Sequence, residues 1–156
     1  MQRSEFTRRP RERRLFDIWT WTSPVHTSIG DLPVELHVEC DAEPSDAMLE
    51  QARALADYAS AHGETLLDLI FGHYKYAERK GWLEFWSVPA GIGRGEILRH
   101  VDAVELTVVE DLTATVFVDP HWDPEHKLDL TFADGRITEV NGQRYSLENG
   151  ILRREA

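Results

Sequence analysis

Thr113-Ala114-Thr115-Val116-Phe117-Val118-Asp119-Pro120-His121-Trp122-Asp123-Pro124-Glu125-His126-Lys127-Leu128-Asp129-Leu130-Thr131-Phe132 is the stretch on which the fold turns. Residues 113–118 are β-branched or aromatic at nearly every position, the composition of a strand. After the interruption, Leu128, Leu130 and Phe132 alternate with Asp129 and Thr131, which gives a second strand with one buried and one wet face. Asp119 closes the first strand and Leu128 opens the second, so the segment between them closes a hairpin. That segment packs two prolines, two histidines, three carboxylates and a tryptophan into ten residues. Asp123-Pro124 is turn chemistry: the aspartate can cap backbone N–H groups and the proline presets φ.

The strand pattern extends in both directions. Upstream, Val104, Leu106 and Val108 alternate within Asp102–Glu110. Downstream, Asp134-Gly135, Asn141-Gly142 and Asn149-Gly150 are regularly spaced hairpin signals. Short strands between them, near 136–140, 144–147 and 151–153, predict an antiparallel C-terminal meander. Nearer the N-terminus, Leu15–Thr22 has aromatic β-character. Val34-Glu35-Leu36-His37-Val38-Glu39-Cys40 alternates cleanly and places His37 on the wet face and Cys40 in the core.

Two helices are expected between these groups of strands. Ser45 is a suitable N-cap, and Met48, Leu49, Ala52, Leu55, Ala56 and Ala59 recur at helical spacing up to about His62 and Gly63. Leu66, Leu67, Ile70, Phe71 and Tyr74 continue the pattern to Arg79-Lys80-Gly81, a suitable C-terminus. His62 and His73 are expected at helix ends or on the surface. The aromatic residues Trp82, Phe85 and Trp86 are expected in the core, and Trp82–Val88 fits either a strand or the end of a helical hairpin. Gly91-Ile92-Gly93-Arg94-Gly95 lacks the Gly-Lys-Ser/Thr of a phosphate loop and has Glu96 where a dinucleotide fingerprint needs glycine. It reads as a flexible loop leading into a short helix over 94–100. The expected fold class is therefore α+β, a helical pair packed on a mostly antiparallel sheet.

The charge is uneven. The chain carries −11 overall, but residues 1–14 hold six arginines against Glu5 and Glu12. Residues 1–14 are accordingly expected to form a flexible basic tail, and 15–156 a single domain. An acidic body repels nucleic-acid phosphate and suits a basic protein partner. No apolar run reaches the roughly 20 residues of a membrane span, and no apolar segment follows the arginine-rich start. With one cysteine, Cys40, no intramolecular disulfide can form. The cytoplasm is the expected compartment.

The 119–128 segment holds the candidate site residues. Trp122, Asp123, Glu125 and His126 are the expected binding surface. No metal, no cofactor and no catalytic residue are assigned. Were the segment to hold an ion, His121, His126, Asp123 and Glu125 would be the ligands, since neutral histidine with an orienting carboxylate is a good donor. The spacing is not the helical pair of a zincin, because the histidines stand five positions apart and Pro124 lies between them.

The run from Phe117 to Leu128 resembles the signature of a family of uncharacterised bacterial domains, in which a strand enters Trp-Asp-x-Glu-His-Gly-Leu and another strand follows. Trp122, Asp123, Glu125, His126 and Leu128 match, and Lys127 stands where that motif has glycine. The resemblance extends weakly over 15–140 and implies a fold without an activity. Such domains are similar in size and acidity to immunity proteins that bind and block toxins. The leading expectation is thus a non-enzymatic protein-binding module of immunity type. The alternatives are a metal-dependent or acid/base enzyme using the 119–128 segment, and a structural subunit docking through its basic arm.

Overall fold

The computed structural model of the chain describes residues 1–9, 17–21 and 27–155. Among these, eight strands form one sheet: β1 (Phe6–Arg9), β2 (Asp17–Trp21), β3 (Thr27–Ile29), β4 (Leu32–Cys40), β5 (Val101–Val109), β6 (Ala114–Pro120), β7 (Leu128–Ala133) and β8 (Arg136–Val140). The order is β1-β2-β4-β5-β6-β7-β8, and β3 pairs with the stretch of β4 that β2 leaves uncovered. Every pairing is antiparallel except β4 with β5. A parallel pair needs a long crossover. Here it carries α1 (Asp46–Ala61), α2 (Gly63–Arg79), the short α3 (Trp82–Phe85) and a 3-10 turn over Arg94–His100.

Register explains why the helices lie on one face. Val34, Val104, Val118 and Leu128 form one row across β4 to β7, and Leu36, Leu106, Val116 and Leu130 form the next. Val38, Val108, Ala114 and Phe132 make a third. Side chains directly opposite one another share a face, so the rows make an apolar floor. On it sit Ala52, Leu55, Ala59, Leu66 and Ile70, all with no exposed surface. Ser45 caps α1 as its sequence suggests, its Oγ accepting from Met48 N at 3.2 Å. Cys40 lies in the core and its Sγ donates to Ala42 O.

The structure differs from the sequence reading at five places. Phe6 is buried and β1 pairs with β2, so residues 6–9 are ordered by one apolar anchor within the arginine-rich start; residues 10–14 lie outside the described ones. The C-terminal meander stops at β8. β9 (Tyr145–Glu148) and β10 (Ile151–Arg154) form a separate hairpin that packs on α2. Gly72 makes that approach possible, because a Cβ there would sit 2.7 Å from Leu147 Cδ2 and 3.2 Å from Leu152 N. Phe85 is 76% exposed, while Trp82 and Trp86 are half-buried against the core. The glycine loop is tied down: Tyr74 Oη donates to Pro89 O and accepts from Ile92 N, and Gly91 N donates to Glu78. Finally, His37 and His73 are both buried.

Candidate functional site

The turn between β6 and β7 is built inward. Pro120 ends β6, and Trp122 follows with no exposed surface. Its indole stands edge-on to Tyr74, and its Nε1 donates to His73 Nδ1 at 3.0 Å. Asp123 is also buried. Its Oδ1 accepts from His126 N at 3.3 Å and from His126 Nδ1 at 3.0 Å, while its backbone carbonyl accepts from Lys127 N. Lys127 takes a left-handed φ of 61°, and its Nζ reaches Asp119 Oδ2 at 2.9 Å. Glycine takes that conformation at least cost; lysine holds it here with an ion pair and a backbone hydrogen bond.

His73 is the hidden member of this corner. An indole N–H only donates, so Nδ1 must accept and the neutral ring carries its proton on Nε2. That atom faces Asp123 Oδ2 at 3.8 Å, beyond hydrogen-bond reach. Both atoms lack a hydrogen-bond partner among the described residues. Burial pushes the His73 pKa down from 6.5 to about 4; the nearby Asp123 charge opposes this and the Arg154 guanidinium adds to it.

The expected site residues are therefore divided. Trp122 and Asp123 face the interior and are buried. Glu125 and His126 are at the surface. His121 and His126 do not converge on shared carboxylates: His121 pairs with Asp102 at 2.7 Å and His126 with Asp123. An Asp-oriented imidazole can carry a proton, but His126 stands on an open turn with its side chain 73% exposed.

The more functional-looking surface is the sheet face away from the helices. A trough of about 480 Å³ runs across β5 to β7, bounded by Glu39, Glu105, Asp119 and Asp129, with Lys127 as its cation and Phe117 on its floor. At one end, on β4, His37 sits between two glutamates. Its Nε2 is 2.9 Å from Glu35 Oε2 and its Nδ1 3.6 Å from Glu105 Oε2. Among the described residues Glu35, His37 and Glu105 are the grouping whose atoms lie close enough together to share a metal ion. Reading Glu35-x-His37 as a wet strand face could find two of the three. Glu105 joins them only through the parallel β4–β5 pairing.

The fold and this surface define an α+β domain whose helices cover one side of a sheet and leave an acidic side outward. The family follows from the sequence: residues 12–147 match the model of the domain of unknown function DUF6985, and the chain belongs to that family. No curated protein and no solved structure matches it. No helix among the described residues is long and apolar enough to cross a membrane.

Proposed function

We propose that this domain is a non-enzymatic binding module that presents the acidic face of its sheet to a basic protein surface. The observation that carries the reading is the trough of β5–β7, bounded by four carboxylates against one lysine, in a chain of net charge −11. Charge complementarity of this kind speeds encounter and fixes orientation. It also disfavours nucleic acid, whose phosphates need cationic contacts. The 119–128 corner supports the reading in a second way. Its tryptophan and aspartate are used to close the fold, which leaves the conspicuous motif with a structural task. The finer form is an immunity-type protein of bacterial origin, acting in the cytoplasm and neutralising a toxin by covering a basic surface.

The test is affinity capture with the wild-type chain and with Glu105→Lys/Asp119→Lys, next to a Glu148→Lys control on the separate hairpin. A basic protein held by the wild type and the control, and lost at least tenfold in the double variant, is the expected result. Capture unchanged by the double variant would place the interface elsewhere.

A further inference from the structure

We propose that the sheet face opposite the helices carries a site for one divalent transition-metal ion, bound between His37 Nδ1 and Glu105 Oε2. The inference goes beyond the protein-binding reading and stands whether or not a basic partner exists.

It begins with the register. Glu35 and Glu105 are directly paired across the parallel β4–β5 ladder, on one face. Like charges at such positions destabilise a sheet unless something positive lies between them. The side chain between them is that of His37, only 8% exposed, and in its neutral form it brings no positive charge. Glu35 Oε2 accepts from Nε2–H at 2.9 Å, which leaves the neutral ring with a bare lone pair on Nδ1. That lone pair faces Glu105 Oε2 at 3.6 Å, and Nδ1 has no hydrogen-bond partner among the described residues. A lone pair facing a carboxylate oxygen without a proton between them is repulsive. A cation resolves it.

A second orphan lies alongside. Thr20 on β2 is the antiparallel partner of His37 and is likewise buried, and its Oγ1 also lacks a partner among the described residues. Thr20 lies across β4 from Glu105, so its hydroxyl is not a ligand of an ion in the His37–Glu105 gap.

Distance and donor type indicate the ion. Tetrahedral zinc, with bonds of roughly 2.0–2.2 Å to nitrogen and oxygen, sets its ligands about 3.4 Å apart, close to the 3.6 Å separation here. One imidazole with carboxylate oxygen suits zinc, manganese or ferrous iron, and it is a poor match for calcium or magnesium, which prefer oxygen alone. Cys40, the only thiol, lies among the core residues and offers nothing to this face. Glu35 acts from outside the coordination sphere, holding the imidazole in the tautomer that binds.

The test is titration calorimetry of the EDTA-treated full chain with Zn²⁺ and, separately, Mn²⁺ at pH 7.5. The expected result is one ion per chain, with affinity lowered at least tenfold by Glu105→Gln and lost in His37→Gln. Glu35→Gln, on an exposed residue that leaves the fold intact, weakens it roughly 10- to 100-fold. His62→Gln, at the junction of α1 and α2, leaves it unchanged. An anomalous-scattering peak between His37 and Glu105 would fix the position. Failure to bind either ion at millimolar concentration overturns the proposal, as does binding that survives both His37→Gln and Glu105→Gln. So does a ¹⁵N spectrum showing His37 doubly protonated at pH 7.5, since a proton would then occupy the gap.

Discussion

Replacing His73 by glutamine takes a titrating ring out of the core while leaving an amide oxygen that can still accept from Trp122 Nε1. In the folded chain His73 titrates at about 4, and in the unfolded chain near 6.5. Below 6.5 the unfolded chain takes up a proton that the native chain refuses, so stability is present above that pH and is lost as pH falls towards 4. Two and a half pH units at about 1.36 kcal/mol each come to about 3 kcal/mol. A domain of this size has about 5–15 kcal/mol in total, so one ring accounts for a sizeable share of its acid sensitivity. The groups facing the ring are Asp123, Arg154, Tyr76 and Trp122. All four are present in both proteins, and most other titrations cancel in a comparison. The assay is urea unfolding of wild type and His73→Gln at several pH values from 7.5 to 4.5. The stability difference between them should shift in favour of the variant by about 2–3 kcal/mol over that range. A difference constant to within about 0.5 kcal/mol would refute the claim that the fold holds this imidazole uncharged.

Trp122→Phe removes the donor to His73 Nδ1 and leaves a gap beside Tyr74; a loss of about 2–4 kcal/mol in denaturant unfolding is expected. Gly72→Ala forces a methyl against Leu147 and the backbone of Leu152. It should cost about 1–3 kcal/mol and speed amide exchange in the β9–β10 hairpin ahead of the main sheet. Lys127→Gly relieves a left-handed residue, gaining roughly 1 kcal/mol, and gives up a part-exposed ion pair of less than about 1 kcal/mol. Its unfolding midpoint should stay level or rise, and a clear fall would show that the Asp119 pairing outweighs the backbone.

Much of the architecture was legible because it rests on short-range periodicity. The alternation in Val104–Val108, Thr113–Val118 and Leu128–Phe132 and the helical spacing from Met48 to Tyr74 each follow from one face being buried. His73 was misplaced although a signal existed: Leu66, Ile70, His73 and Ala77 recur at spacings of four, three and four, on the apolar stripe of α2. A histidine on that stripe reads as polar until a donor such as Trp122, 49 residues away, is known to meet it. His37 was assigned to the correct face of its strand but expected in solvent. Alternation distinguishes two faces without saying that both are covered. The hairpin signal at Asn141-Gly142 was sound, yet a turn dipeptide does not specify whether the next strand continues the sheet or leaves it. Partners joined by the β4–β5 seam were beyond any local pattern.

That seam has a consequence for how the chain fails. Val34 meets Val104 seventy positions later, and the intervening stretch contains α1, α2 and α3. The strands after it can assemble by near-neighbour reversals, whereas closing the seam must wait for the helices to collapse. A lesion in the helical pair would strand two half-sheets, each with a bare inner edge of matching register. Edges of that kind find each other between molecules, so such variants should accumulate as exchanged dimers and larger assemblies before they accumulate as unfolded monomer.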